Sequence, residues 1–435
     1  MKKYEISTSD ENLKLTINNN ILERNEKIIN LMKLLNNVND NFIISIDGEW
    51  GTGKTFFVKQ LIYISNHYSG LDILKNCENH NEIKVFSEKH IIVYYNAWEN
   101  DNHENPLESL MYKILNEYPK YKSCIANISF ENIKPLLKNI IEKGSLGFIN
   151  KESLEKIESF QDLAKNIITV EEKQETLKSL LDKIIGDDKR IMLIIDELDR
   201  CKPDFAVKLL ETLKHFYNNP KMTCIVATNN RQLSYTIKKY YGTEFDGYGY
   251  LNKIYDTVIT LGTDKLEEYT KNYCGIMQYN NLPEKMSFVL FKFLNFSYRE
   301  CNKYMSIYNI IEPYTDYRGL LDRNSFLFES DVILPMTIAL KIKNIEYYNE
   351  FITGNGDNII TSFINYLENT AEGNDYIQWV YDILKLKEND NLIEGFIRKY
   401  KDTIINKTNH QHFPYFEAIS MLGNSINFND IEEKF

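Results

Sequence analysis

Residues 41–55 read NFIISIDGEWGTGKT. The apolar, β-branched beginning predicts a buried strand, and Gly48–Thr55 match the pattern G-x-x-x-x-G-K-[ST]. A helical pattern, KTFFVKQLIYISNHY, follows from Lys54. In such a strand, loop and helix unit, glycines let the backbone N–H groups and the helix N-terminus face a phosphate chain. The alternative, a turn without function, is the weaker hypothesis because both flanking elements are present.

Each position of this loop has a predicted contact. Lys54 would reach the β- and γ-phosphates of a nucleotide, and Thr55 would bind Mg²⁺. We expect the loop and the first turn of the helix to hold the nucleotide through Gly48, Trp50, Gly51, Thr52, Gly53, Lys54, Thr55 and Phe56.

Four further apolar stretches predict strands that alternate with charged helical patterns. They read HIIVYYN from His90, RIMLIID from Arg190, TCIVATN from Thr223 and DTVITL from Asp256. Strands that alternate with helices imply a parallel sheet covered by helices on both faces. The predicted fold class is therefore α/β.

The spacing of these strands predicts the domain organisation. Residues 99–189 are too many for one crossover helix, and their amphipathic patterns predict a helical insertion between the second and third strands. Strand patterns fade after about Asp264, and helical patterns follow. We predict an α/β domain over residues 1–262 and an α-helical domain over residues 263–435.

Two acids end the third predicted strand, Asp196 and Glu197. At the carboxyl end of a parallel strand, Asp196 is placed to hold Mg²⁺, and Glu197 is placed to orient an attacking water. A solvated strand end is the alternative. The phosphate loop favours the metal-binding interpretation, because the two features occur in the order of a Walker A and a Walker B motif.

Three motifs together resemble those of the KAP-type P-loop NTPases. They are the loop GEWGTGKT, the stretch YYNAWEND from Tyr94 to Asp101, and the block IIDELDRCKP from Ile194 to Pro203. Weaker similarities lie in YLNKIYD, from Tyr250, and SYREC, from Ser297. The resemblance covers roughly residues 40–305, and it implies ATP as the nucleotide, Mg²⁺ as the metal and hydrolysis as the activity.

The resemblance also implies where the fourth strand lies. In the additional-strand class of this family, which is related to the AAA+ and STAND ATPases, that strand separates the Walker A strand from the Walker B strand. Asn229, which follows it, would then face the γ-phosphate as a sensor, and a helix N-cap is the alternative role. The chain departs from the family at Glu197, where Asp is common, and at Tyr298, where Pro is usual.

Three cations are candidates to stabilise charge on the transferred phosphoryl group: Arg200, Lys253 and Arg299. Each has a plain alternative. Arg200 could pair with Asp199 or a neighbouring carboxylate, while Lys253 and Arg299 could be solvated residues on helix surfaces. Tyr298 in place of the usual Pro weakens the assignment of Arg299.

Composition limits the classes of protein that remain. The formal net charge of −11 argues against a broad nucleic-acid interface, and the six cysteines contain no C-x-x-C spacing. We find no signal peptide and no apolar stretch of about 20 residues, so we expect a cytoplasmic protein without a membrane span. Many members of the family have transmembrane helices between the Walker motifs, where this chain has a charged insertion.

The sequence therefore predicts a Mg²⁺-dependent ATPase whose nucleotide cycle drives conformational change or assembly. The expected partner is a second copy or a protein encoded nearby, and the resemblance to phage-exclusion proteins points to anti-phage defence by analogy. Two alternatives stay open. One is a nucleotide-gated binding module with little hydrolysis, and the other is an ATP-dependent regulator of a nucleic-acid-acting partner, suggested by lysine-rich stretches such as KPLLKNIIEK.

Overall fold

The computed structural model describes residues 7–71, 80–103, 106, 109–110, 113–114, 189–216, 221–273, 282–311, 323–387 and 390–408. The chain divides into two compact units, the first from Ser7 to Gly262 and the second from Thr263 onward. The predicted helical insertion at residues 99–189 lies mostly outside the described residues.

The first unit is built on a parallel sheet whose strands are rich in β-branched residues. Its strand order is β2-β3-β4-β1-β5, and every neighbouring pair is parallel. The strands are β1 Phe42–Asp47, β2 His90–Asn96, β3 Arg190–Asp196, β4 Met222–Thr228 and β5 Thr257–Thr260. Strand β4 lies between β1 and β3, so Ile225 pairs with both Ile44 and Ile194.

Helices cover both faces of this sheet. Alternate residues of β3 point to opposite faces, as the two-residue period of a strand requires. Leu193 belongs to one buried apolar cluster and Ile194 to the other. The α/β prediction is therefore confirmed. The helices of this unit are α1 Asp10–Asn18, α2 Arg24–Asn36, α3 Lys54–His67, α4 His80–Lys89, α5 Pro203–Phe216, α6 Asn230–Tyr241 and α7 Gly247–Asn252.

The second unit is helical in all its described elements, as predicted for this region. Buried aromatic rings contribute much of its core, including Phe291, Tyr304, Phe363 and Tyr400. Its helices are α8 Leu266–Tyr273, α9 Leu282–Phe293, α10 Tyr298–Ile311, α11 Arg323–Phe328, α12 Leu334–Lys343, α13 Ile345–Ile352, α14 Asp357–Asn369, α15 Ala371–Leu384 and α16 Leu392–Thr408. None of the described helices of either unit has the length and apolarity needed to span a bilayer.

A π-helical turn at Glu329–Ile333 joins α11 to α12 and buries two acids. Asp331 is 6% exposed, and burial raises its pKa from 3.8 to about 6, while a hydrogen bond donated by Ser330 Oγ at 2.6 Å opposes the shift. The raised pKa means that the folded state favours the protonated carboxyl over the ionised one. This contribution to the free energy of unfolding is complete below pH 3.8 and is lost as the pH rises through 6.

Asp331→Asn is therefore expected to stabilise the second unit above pH 6. Asparagine does not ionise, so the folded protein no longer has to bury a charged carboxylate at this position. A pKa shift of about two units corresponds to a cost of about 3 kcal/mol. Thermal midpoints at pH 5 and pH 7.5 test this, with the exposed Asp402→Asn as the matched control. An Asp331→Asn midpoint that changes with pH as the parent midpoint does would contradict the expectation.

Candidate functional site

The loop between β1 and α3 has the backbone that its glycines predict. Gly51 and Gly53 have φ angles of 87° and 83°, in the left-handed region that residues with a Cβ rarely adopt. A Cβ at Gly48 would lie 2.7 Å from the carbonyl oxygen of Leu261. The loop is thus closely packed on the end of the strand layer and turns directly into α3 at Lys54.

Lys54 is buried at the centre of this loop. Its Nζ donates hydrogen bonds to the carbonyl oxygens of Gly48 at 2.6 Å and Glu49 at 3.1 Å. Burial lowers the pKa of Lys54, and the carboxylates of Asp199 and Asp196 oppose that shift. A buried ammonium group satisfied by its own loop is well placed to exchange those carbonyls for phosphate oxygens.

Asp196 lies at the end of β3, next to the start of α3. The hydroxyl of Thr55 lies beside its carboxylate, and the hydroxyl of Tyr94 donates a hydrogen bond at 2.9 Å to Oδ2. The backbone N–H of Glu197 donates to Oδ1 at 2.9 Å. Burial raises the pKa of Asp196, and the Thr55 hydroxyl, the Tyr94 hydroxyl and the backbone N–H of Glu197 lower it. The structure thus brings the two predicted metal ligands, Thr55 and Asp196, into contact.

Glu197 is held on the other side of this strand end, in the left-handed region with φ 61°. Its carboxylate lies 3.2 Å from Arg200 Nη2 and beside the side chain of Asn96. Burial raises the pKa of Glu197, and Arg200 opposes the shift. The guanidinium of Arg200 also faces the ring of Trp98, 5.3 Å from its centroid. Of the two roles predicted for Arg200, the geometry shows the carboxylate pairing, and the partner is Glu197 rather than Asp199.

Asp199 connects the loop with β4. The indole N–H of Trp50 donates to Asp199 Oδ2 at 2.5 Å, and Thr228 Oγ1 donates to Oδ1 at 3.3 Å. Asp199 is buried, whereas Trp50 is 47% exposed. From the sequence, Asp199 was expected as a partner for Arg200 or as an alternative catalytic acid, and its contacts with Trp50 and Thr228 were not predicted. The acid-rich block after β3 is the pattern that could have suggested them.

Asn229 caps α6, as the alternative hypothesis stated. Its Oδ1 accepts a hydrogen bond from the backbone N–H of Gln232 at 3.2 Å, which leaves its side-chain N–H₂ outside the cap. The adjacent Asn230 donates its backbone N–H to Asp47 Oδ1 at 2.9 Å, at the end of β1. The ends of β4 and β1 are therefore joined beside the loop.

Two predicted cations, Lys253 and Arg299, have exposed side chains. Lys253 follows α7, where it is the C-cap residue. Arg299 is exposed on α10 of the second unit. The neighbouring Tyr298 is buried, and its ring centroid lies 4.5 Å from that of Tyr269. Phe56 is partly buried on α3.

Arg24 contacts the loop, and no sequence pattern predicted this contact. It is 5% exposed at the start of α2, and its guanidinium donates to the carbonyl oxygens of Thr52 and Gly53. Arg24 lies 28 and 29 residues before its two partners, and a single arginine at that distance forms no local pattern. Its role could therefore be recognised only from the structure.

The loop at the end of β1, the acid at the end of β3 and the strand between them place the chain among the P-loop NTPases of the additional-strand class. The match to the KAP family P-loop domain covers residues 24–313, more than half of the chain. The chain belongs to the KAP family, and this region is a nucleotide-binding domain. Among curated proteins no match was found.

Proposed function

We propose that the protein binds ATP with Mg²⁺ and hydrolyses it, and that the nucleotide cycle changes its conformation or assembly. The observation that carries the proposal is the contact between Thr55 and Asp196 beside the buried Lys54. An ammonium group, a hydroxyl and a carboxylate lie close together at one end of a parallel sheet. Phosphates and a divalent cation bind at this end of the sheet in such proteins.

The residues present suit both the phosphates and the metal. Lys54 would bind the β- and γ-phosphates, and Thr55 and Asp196 would hold Mg²⁺, which, when bound, neutralises charge on the phosphate oxygens. Hard oxygen ligands such as these are what Mg²⁺ prefers, with phosphate and water oxygens completing its shell. Glu197 would accept a hydrogen bond from the attacking water. The sensor role of Asn229 remains a proposal for its side-chain N–H₂.

The direct experiment measures nucleotide binding and phosphate release by the full chain. We expect tight binding of ATP, weaker binding of GTP, and phosphate release that stops when EDTA removes Mg²⁺. ATP binding without measurable release would favour the alternative, a nucleotide-gated binding module. Failure to bind either nucleotide would contradict the proposal.

We also propose that residues 1–262 and 263–435 are two domains and that ATP promotes self-association or docking of a partner. The argument is that the helical additions far exceed what phosphate chemistry requires, and a nucleotide can move them only through differential contacts. A fixed scaffold around the sheet is the alternative role for these helices.

Mg-ATP is therefore expected to raise the particle mass of Glu197→Gln, in which slow hydrolysis should let the ATP state accumulate. Light scattering with and without Mg-ATP, alone and with proteins encoded nearby, measures this. The same mixtures with ADP are the control. A monomer mass in every mixture would count against assembly.

Anti-phage defence is the cellular role that we propose by analogy with the phage-exclusion proteins of the family. Plaque counts on bacteria that produce the parent protein or Lys54→Ala compare the two directly. Equal protection by both would separate any such role from nucleotide binding.

A further inference from the structure

Arg24 contacts the phosphate loop from the side of α2. Its Nη1 donates to the carbonyl oxygen of Gly53 at 3.0 Å, and its Nη2 donates to the carbonyl oxygen of Thr52 at 2.6 Å. A Cβ built on Gly53 would lie 2.9 Å from Nη1, so the guanidinium packs directly against the glycine backbone. One side chain therefore donates hydrogen bonds to two consecutive peptide groups of the loop.

Because the peptide bond is planar, these two hydrogen bonds also fix the direction of the N–H groups that would bind phosphate. In a trans peptide the C=O and the following N–H point in opposite directions. The carbonyls of Thr52 and Gly53 point toward Arg24, so the N–H groups of Gly53 and Lys54 point away from it. These N–H groups stand at the N-terminus of α3, where backbone donors bind phosphate.

The turn that delivers Arg24 is strained. Asn20, Leu22 and Glu23 have φ angles of 48°, 62° and 49°, which residues with a Cβ seldom adopt. Asn25 holds the turn, since its Nδ2 donates to the carbonyl oxygen of Ile17 at 2.7 Å. Backbone strain of this kind persists where the surroundings enforce it, and it is concentrated at functional sites.

A tether between α2 and the loop does not by itself require a charge. Removing a guanidinium from water is costly, and an apolar contact or a neutral hydrogen bond would join the same elements at lower cost. A buried guanidinium adds two things to a tether. It aligns two peptide groups at once, and it places a permanent positive charge behind a loop that binds anions.

We propose that Arg24 is a positioning residue for nucleotide phosphates, one that holds the N–H groups of Gly53 and Lys54 in their phosphate-binding direction. The inference rests on the proposed function, because it concerns the same loop. Arg24 acts through the backbone carbonyls of Thr52 and Gly53, so it should affect binding more than turnover.

The test compares Arg24→Ala and Arg24→Lys with the parent in ATP affinity, KM and kcat. We expect Arg24→Ala to weaken ATP binding roughly 10- to 100-fold, as for lost hydrogen bonds to a charged group, and to raise KM similarly. The kcat at saturating ATP should stay within about threefold of the parent value. Arg24→Lys keeps the charge but not the planar fork, and should fall between the two.

Chemical rescue separates positioning from stability. Methylguanidinium should restore part of the ATP affinity of Arg24→Ala, while an equal concentration of KCl should not. The matched control is Arg190, which is also buried and donates to the carbonyl oxygen of Asp40 at the opposite end of β3. Arg190→Ala should lower the thermal midpoint without changing the ATP affinity of the folded protein.

The outcomes distinguish this inference from the proposed function. If the parent bound no ATP, the proposed function would fail and this inference with it. If the parent bound ATP and both Arg24 variants bound it equally well, the inference alone would be overturned. A lower thermal midpoint with unchanged affinity would have the same meaning, since Arg24 would then be only structural. If Arg24→Ala did not fold, Arg24→Lys would decide the question by the same measurements.

Discussion

Lys54→Ala is expected to abolish ATP binding or to weaken it by roughly 100-fold or more. The ammonium of Lys54 is the buried cation at the centre of the loop, and it now satisfies the carbonyls of Gly48 and Glu49. Alanine removes the charge that would meet the phosphates and leaves those carbonyls without their donor. The phosphates would then have to bind to backbone N–H groups and Mg²⁺ without the lysine.

Titration calorimetry with Mg-ATP measures this loss in the folded variant. The matched control is Lys14→Ala, because Lys14 is exposed on α1. Circular dichroism should show the same helix content for both variants and the parent. Equal ATP affinity and turnover in parent and Lys54→Ala would mean that this loop is not the nucleotide site.

Glu197→Gln is the second large effect, and here we expect ATP binding to survive while hydrolysis falls by a factor of about 10² or more. Glutamine keeps the size of the side chain and an oxygen that accepts hydrogen bonds. It cannot take a proton from water, and it ends the ion pair with Arg200. The chemical step therefore loses its base, whereas the loop and the metal ligands are unchanged.

Single-turnover phosphate release and equilibrium ATP binding measure the two parts separately. Glu88→Gln is the matched control, because Glu88 is exposed on α4, where its carboxylate lies 4.0 Å from Lys84 Nζ on the surface. Unchanged turnover in Glu197→Gln would move the catalytic role to another acid, such as Asp199. A loss of Mg²⁺-dependent binding would instead assign Glu197 to the metal.

The sheet was predictable because local sequence determines buried parallel strands. The predicted stretches from His90 and Arg190 coincide with β2 and β3, and the loop follows β1 as its motif requires. A continuous apolar run of six or seven residues with turn residues beyond it has few other solutions in a chain of this composition. The position of β4 between β1 and β3 came from the family resemblance, since local patterns carry no information about which strands pair.

The contacts around the loop were not predictable for the same physical reason. Asp199 meets Trp50, and Arg24 meets Gly53, only because the sheet brings together segments that are far apart in the chain. Asn229 shows a different limit. Its position after a strand and before a helix suits both a sensor and a cap, and only the orientation of its Oδ1 toward Gln232 identifies the cap.

The hydrogen bond between Trp50 and Asp199 also gives the protein an intrinsic optical reporter. The sequence has three tryptophans. Trp50 is part of the loop, and Trp98 lies beside Arg200. Indole emission responds to nearby carboxylates, to nearby cations and to contact with water. Trp50 contacts the carboxylate of Asp199, Trp98 faces the cation of Arg200, and both rings are exposed. Events at the loop can therefore be followed in real time in the unlabelled chain, and replacing either tryptophan by phenylalanine assigns the emission to its source.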